Sequence, residues 1–189
     1  MTNISVLKKS VGFRLTLSAK TLISAALIAA AVLLPLVVHA AFGASGGARF
    51  LPMYLPVVIG GCVLGKRWGL GLGVLSPIAS FAVTAAMGNA MPTAARLPYM
   101  IVELAVFGAA AGAFSRRIAQ KPYIAFAAVI AAAIVGRAAF VALAAMLQGA
   151  MPLTAAAAWA QVQTGLWGVL LQAVVAPVIV MLAARAMRE

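Results

Sequence analysis

The chain has 189 residues, of which 66% are hydrophobic and only 8% are charged, and its mean hydropathy is +1.13. A soluble domain carries roughly 25% charged residues, so this composition excludes a sizeable soluble domain. The formal net charge of +12 could suggest a nucleic-acid partner, but the cations lie at the ends of apolar segments and not along one polar face. They fit topology control and attraction to anionic lipid better, and we expect no nucleic-acid binding.

Apolar stretches of about 20 residues recur along the sequence, which is the length that a helix needs to cross a bilayer. They predict an all-α integral membrane protein with a single six-helix membrane domain over residues 1–189. Residues 1–19 form a basic amino-terminal segment, and the apolar run that follows is interpreted as a retained first helix and not as a cleaved signal peptide. The predicted helices cover residues 20–39, 52–65, 68–87, 98–116, 122–147 and 157–186.

Three of these helices are not expected to cross the bilayer as straight, upright helices: the second, the third and the sixth. The second helix is too short to cross upright, so we expect it to be tilted, broken or partly outside the bilayer core. Pro77 and Pro177 are expected to kink the third and sixth helices, because proline removes a backbone donor and clashes with the preceding turn.

The positions of the basic residues predict the orientation. Most of the 14 Lys and Arg residues fall at one set of helix ends, which the positive-inside rule assigns to the cytoplasm. Both termini and the turns at 65–67 and 116–121 would then be cytoplasmic, whereas loops 40–51, 88–97 and 148–156 would be outside. The cations on the cytoplasmic side are Lys8, Lys9, Arg14, Lys20, Lys66, Arg67, Arg116, Arg117, Lys121, Arg185 and Arg188.

Glu103 and Arg137 are ionisable residues inside predicted membrane helices. A charge in such a place is costly, so it usually faces the bundle interior and has a partner. Arg137 is the deeper of the two, roughly 15 Å from the outer end of its helix. Two hypotheses remain open: the residues form a structural pair with each other, or they bind a substrate, with Arg137 offering a charged fork to a carboxylate or phosphate.

Further candidates for a substrate site lie toward the same outer side. Arg49 and Arg96 are either solvated loop charges or part of an electropositive mouth, which would favour an anionic small molecule. The Trp and Tyr candidates could equally be interfacial anchors, and since Gln161 and Gln163 point to different helix faces, only one is expected to face a cavity. His39, a lone His at a helix end, is not predicted to be functional. The remaining candidate binding residues are Asn89, Tyr99, Trp159 and Gln163.

Catalysis is poorly supported by the sequence. The chain has one His, one Cys, two Glu and no Asp, and no pair among them has metal-ligand spacing. It contains no phosphate-binding loop for ATP. We therefore expect no enzyme activity, no metal and no cofactor, and any uphill transport would take its energy from a partner or a gradient.

The stretch from Arg49 to Arg117 resembles the substrate-binding S components of energy-coupling factor (ECF) vitamin transporters. The resemblance rests on the short segment at 52–56, the glycine-rich basic turn at 60–69, Leu75-Ser76-Pro77, and Glu103 with the residues that follow it up to Gly108. The size, six helices and cytoplasmic termini are also similar.

This resemblance implies that the chain captures a small vitamin or related micronutrient from outside, in the plasma (inner) membrane of a bacterium. It also implies two kinds of partner besides the lipid bilayer: a transmembrane coupling subunit and two ABC-type ATPases. Small residues on the first helix commonly form the docking face in this family, and here they would be Ala25, Ala29, Ala26 and Ala30. Their four-residue spacing would let another helix approach closely. The arginines favour an anionic substrate.

Two other functions remain open at this point. A non-catalytic membrane scaffold of a cell-envelope complex would have no outer cavity, and Glu103 and Arg137 would be satisfied by each other. An intramembrane enzyme is the third hypothesis, which the shortage of acids, His and Cys makes the weakest.

Overall fold

The computed structural model describes residues 15–150 and 153–187. Most of the predicted basic segment 1–19 lies outside the described residues, as do the cations Lys8, Lys9, Arg14 and Arg188. Within the described residues every regular element is a helix. In chain order the helices are α1 (Leu17–Phe50), α2 (Tyr54–Leu64), α3 (Lys66–Ala86), α4 (Leu97–Ala113), α5 (Ser115–Gln120), α6 (Ile124–Leu147), α7 (Ala155–Thr164) and α8 (Leu166–Ala186).

The first helix is longer than the sequence predicted. Thr16 caps its start by accepting a hydrogen bond from the backbone N–H of Ala19. The helix breaks at Gly43, where φ is 68° and ψ is −171°, a conformation that glycine adopts readily because it has no Cβ. It then resumes and ends at Phe50. The prediction of a loop over residues 40–51 was therefore wrong, because the Gly- and Ala-rich segment after the break forms further helical turns.

The last predicted helix, 157–186, is divided in two. Helix α7 begins after Thr154, whose hydroxyl accepts from the N–H of Ala157, and α8 begins after the break at Gly165. The predicted cytoplasmic turn at 116–121 is also mostly helical, as α5. Helices α3 and α8 include Pro77 and Pro177, and each continues beyond its proline.

Five of the described segments are long and apolar enough to cross a membrane: Leu17–Gly43, Ser45–Leu64, Lys66–Ala86, Ile124–Leu147 and Leu166–Ala186. The fourth predicted span corresponds to α4, which is apolar but has only 17 residues. Many large apolar side chains on these helices are exposed, such as Val174 on α8 and Ile134 on α6. This arrangement suits a surface that faces lipid tails, and the protein is a multi-pass membrane protein.

Glycines let helices α2, α3 and α4 approach closely. A Cβ placed on Gly69 would clash with the backbone carbonyl of Gly108, and one on Gly73 would clash with the carbonyl of Leu104. Small residues at membrane helix interfaces allow this close backbone approach. The turn between α2 and α3 consists of Gly65, whose φ of 96° favours glycine. These contacts fix α4, and with it Glu103, against the rest of the bundle.

Candidate functional site

One end of the bundle encloses a cavity of about 340 Å³. It is the end where α1, α3 and α6 finish and where α2, α4 and α7 begin. The volume lies in the range of small-molecule sites, and an apolar wall with a few polar groups is typical of them. Apolar side chains line most of it, including Met53, Met91, Met100, Phe140 and Leu153. The polar or aromatic side chains that line it are His39, Tyr54, Ser80, Thr93, Arg96, Tyr99, Glu103, Arg137 and Gln161.

An ion pair between α4 and α6 forms the deep polar part of this cavity. Arg137 donates from Nη1 to Oε1 of Glu103 over 2.7 Å, and the two side chains are 13% and 2% exposed. The guanidinium carbon of Arg137 also lies 5.1 Å from the ring centre of Tyr54, in a cation–π contact. The Tyr54 ring is in turn packed edge-on against Phe107, with ring centres 5.4 Å apart. The arginine is therefore held in place on two sides.

Two donors beside the pair are left without a hydrogen-bond partner. Among the described residues, none bonds to Nη2 of Arg137 or to the hydroxyl of Tyr99, although both atoms are buried. Both residues line the cavity, and Tyr99 is 0% exposed. A buried donor without a partner costs about 1–3 kcal/mol. Two residues of the cavity wall thus carry unsatisfied donors, which an acceptor group of a ligand that reached them would satisfy.

The segment between α3 and α4 is fastened over the cavity by two hydroxyl groups of α3. Ser80 donates to the carbonyl of Met91 over 2.8 Å, and the N–H of Met91 donates to the hydroxyl of Thr84 over 2.7 Å. Met91, Pro92 and Thr93 line the cavity beside these bonds. This predicted outer loop therefore forms part of the cavity wall.

Helix α8 holds one part of the cavity wall, Leu51, in place. Leu51, which follows α1, has the left-handed backbone angles φ 51° and ψ 49°, and its carbonyl accepts from Nε2 of Gln172 over 2.9 Å. Gln172 thereby links α8 to the residue that follows α1. At the α7–α8 break, a Cβ on Gly165 would lie 2.8 Å from Nη2 of Arg137. A glycine at this break lets the chain pass close beside the guanidinium.

The structure brings four of the eight predicted binding residues to the cavity: Glu103, Arg137, Arg96 and Tyr99. The other four are exposed and do not line it: Arg49, Asn89, Trp159 and Gln163. Of the two glutamines on α7, Gln161 lines the cavity. Arg96 is itself exposed at the cavity mouth.

Sequence reasoning missed several residues of the wall. His39 was not predicted to be functional, yet it lines the cavity, its Nδ1 lies 2.8 Å from the carbonyl of Pro35, and its ring packs against Gly47. Tyr54 and Ser80 were not among the predicted binding residues, yet both line the cavity. The predicted orientation could have pointed to them, because it places His39, Tyr54 and Ser80 toward the same side of the membrane as Glu103.

The proposed docking alanines lie on a different surface. Ala25, Ala26 and Ala29 are exposed on α1, and Ala30 is partly buried. The neighbouring Ala31 is fully buried in the core. Three of the four alanines therefore point away from the bundle.

A metal-dependent or thiol-dependent site finds no support in the part of the chain that is described. It holds no group of three His, Cys, Asp or Glu residues that could bind a metal ion. Cys62 is a free thiol that is fully buried in the core on α2.

Comparison with known proteins assigns the chain to a family. The sequence profile described as "ECF transporter, substrate-specific component" matches residues 20–180. Neither the curated proteins nor the solved structures gave a match. The match covers most of the chain and includes every residue of the ion pair and of the cavity wall. The chain belongs to the family of substrate-specific S components of ECF transporters, which are transporter subunits that work with the ECF membrane and ATPase modules.

Proposed function

We propose that this S component captures a small, water-soluble, anionic vitamin or related micronutrient in the cavity beside Glu103 and Arg137. The captured compound is then imported with energy from ATP, which two ATPases hydrolyse on a transmembrane coupling subunit. The chain itself performs no chemistry on the compound.

The unpaired Nη2 of Arg137, on a residue that lines the same cavity as Tyr99 with its unpaired hydroxyl, is the observation that carries this proposal. Glu103 occupies only one nitrogen of the guanidinium. A carboxylate or phosphate oxygen of a ligand would satisfy the second nitrogen, and charge-assisted hydrogen bonds of this kind are roughly twice as strong as neutral ones. The acceptor group of the ligand would thereby relieve the cost of both buried donors.

The charge balance of the cavity also favours an anion. The Glu103–Arg137 pair is neutral as a unit, and Arg96 at the mouth adds a positive charge. No other acidic side chain lies in residues 15–150 or 153–187, since the second Glu of the chain is the terminal Glu189. An entering anion would therefore meet an attractive potential. The apolar walls would hold the rest of the compound.

A binding assay on the purified chain tests the proposal. Vitamins that carry a carboxylate or phosphate are compared with their amide or dephosphorylated analogues in detergent, by calorimetry or intrinsic fluorescence. We expect one anionic compound to bind and its neutral analogue to bind at least about tenfold more weakly, which corresponds to about 1.4 kcal/mol. Folded protein that binds none of the anions, or that prefers the neutral analogues, would contradict it.

We further propose that six helices span the plasma membrane of a bacterium, with both termini in the cytoplasm. The basic residues support this orientation, because Lys66, Arg67, Arg116, Arg117 and Lys121 lie at the end opposite the cavity and Arg185 lies in the last turn of α8. The 17 residues of α4 are about 25 Å long, slightly less than a bilayer core of about 30 Å. A modest local thinning of the bilayer would accommodate the difference.

The scaffold hypothesis is favoured by one observation, the direct bond between Glu103 and Arg137. It also predicts that the outer end of the bundle has no cavity, whereas the described residues form one of about 340 Å³ whose wall includes two residues with unpaired donors. Substrate capture accounts for the ion pair and for the cavity, so we favour it.

A further inference from the structure

A second concave surface lies on the outside of the bundle, between the end of α1 and the start of α8. This groove has a volume of about 560 Å³ and is open along its side. Its lining is mostly apolar, with one hydroxyl and one charged residue. It is formed by Phe42, Ser45, Gly46, Arg49, Phe50, Trp167, Leu170 and Leu171. We refer to it as the α1–α8 groove.

Arg49 is the one cation of the α1–α8 groove, and it has no anionic partner in the described part of the chain. Its guanidinium carbon lies 6.0 Å from the ring centre of Trp167. The chain has only two acidic residues: Glu103 is engaged by Arg137, and Glu189 is outside the described residues. A cation that is held over an aromatic ring, and that no carboxylate neutralises, is available to an anion from outside the protein.

The walls of the groove are held together by a close backbone contact. A Cβ on Gly168 would lie 2.7 Å from the carbonyl oxygen of Phe50, so α8 touches the end of α1 directly. Phe42 and Phe50 lie on either side of the break at Gly43, and their ring centres are 5.1 Å apart. The groove is thus a consequence of the break in α1 and of the contact at Gly168.

In the orientation proposed above, the groove would lie at the boundary between lipid headgroups and acyl chains. Trp167 lies at the start of α8, which is a candidate span, and Trp is enriched at that boundary. Leu170 and Leu171 follow one turn further into the span and are 60% and 51% exposed. In that orientation the groove would have its cation near the headgroups and its leucines toward the acyl region.

We propose that the α1–α8 groove is a binding site for an anionic phospholipid. The lipid phosphate binds the guanidinium of Arg49, whose planar fork suits a phosphate, and one acyl chain lies against Phe42, Leu170 and Leu171. The lipid comes from the leaflet at the cavity end of the bundle. A water-soluble compound is a poor fit, because the apolar side of the groove opens toward lipid.

The test uses Trp167 as a built-in probe. The other two tryptophans are replaced, Trp68→Phe and Trp159→Phe, and the protein is reconstituted with phospholipids that carry brominated acyl chains, which quench nearby tryptophan. Brominated phosphatidylglycerol is compared with brominated phosphatidylcholine at equal mole fraction. We expect the anionic lipid to quench Trp167 preferentially, with a relative affinity about fivefold above that of the zwitterionic lipid, since one basic residue near the surface contributes about that much.

Two variants of Arg49 separate the contribution of its charge to lipid binding from that of the apolar lining. Arg49→Gln is expected to remove the preference while phosphatidylcholine still quenches Trp167, whereas Arg49→Lys keeps the charge and is expected to retain most of it. Arg185→Gln, at the other end of α8, is the matched control and should leave the preference unchanged. Equal quenching by both lipids in the unmodified groove would overturn the proposal. Absence of quenching by either lipid in folded protein would also overturn it.

Discussion

The pair of Glu103 and Arg137 has two separable roles, one in stability and one in binding. Removing one partner of a buried pair leaves an uncompensated charge and costs about 3–5 kcal/mol, whereas replacing both can be nearly neutral. We expect Glu103→Gln to lower the stability of the purified protein by that amount. The double variant Glu103→Gln with Arg137→Met should recover most of the loss, as measured by unfolding in detergent.

Substrate binding should not recover in the same double variant, because the free nitrogen of Arg137 is gone with the side chain. Measured binding to the double variant at the level of the native chain would show that the pair is only structural. The single variant Arg137→Met completes the comparison. If the stability lost in the double variant equals the sum of the losses in the two single variants, the residues are not coupled.

Tyr99 offers a sharper separation of the two roles. Its hydroxyl is buried in the cavity without a partner in the described structure, so the unliganded protein gains nothing from it. We expect Tyr99→Phe to leave the stability of the free protein unchanged or slightly increased, and to weaken substrate binding about tenfold. The ring of Phe140 packs edge-on against that of Tyr99, with ring centres 6.3 Å apart. Phe140→Leu is therefore the control for packing and should instead lower stability. A loss of stability in Tyr99→Phe would mean that the hydroxyl is bonded within the protein.

Single residues were predictable from the sequence where their chemistry is rare. Glu103 and Arg137 could be paired in advance although 34 positions separate them, because ionisable residues inside a membrane seek partners. Tyr54 and His39 could not be assigned in the same way, since aromatic and His residues near a helix end fit several roles. Only the structure shows what they contact: Tyr54 the guanidinium of Arg137, and His39 the backbone at Gly47.

At the scale of elements, two glycines of α3 differ in how closely α4 approaches them, and this difference can be tested. Gly69 faces the carbonyl of Gly108, whereas nothing lies within 4 Å of a Cβ on Gly71, two residues later on the same helix. We expect Gly69→Ala to destabilise the protein by about 1–3 kcal/mol, because the added methyl group forces the helices apart. Gly71→Ala should be neutral or stabilising by up to about 1 kcal/mol. Equal unfolding midpoints for the two variants would contradict this packing.

The elements that were predicted well from the sequence have clear boundaries in it. The helices α2, α3, α4 and α6 agree with the predicted ones within a few residues, because long apolar runs bounded by Gly, Pro or basic residues mark them clearly. The segment after Gly43 was misassigned as a loop, since its Gly and Ser residues favour loops when tertiary packing is ignored. Its helical turns are held by Gln172 and Gly168 of α8, which are more than 100 residues away.

At the scale of the whole molecule, the arrangement in the membrane decides whether the cavity can receive an external compound. A cysteine at Asn89, in the segment beside the cavity, is expected to react with a membrane-impermeant maleimide in intact cells. A cysteine at Lys121, at the other end of the bundle, is expected to react only after permeabilisation. The native chain is the control, because Cys62 is buried. The reverse pattern would turn the cavity toward the cytoplasm and contradict capture from outside.

Transport requires that the binding chain also contact its energising partners, and the exposed alanines of α1 are the proposed contact. They lie on the amino-terminal half of α1, away from the cavity residues, which begin at Pro35. A bulky side chain there would keep a partner helix from close approach. We expect Ala29→Phe to retain substrate binding in detergent and to weaken association with the coupling complex by at least about tenfold, measured by co-purification and by ATP-dependent uptake. The control is Ile130→Phe on α6, a position that is also exposed and already carries a large side chain. Unimpaired uptake by Ala29→Phe would place the docking surface elsewhere on the bundle, whereas loss of substrate binding in the same variant would mean that α1 transmits changes from this face to the cavity.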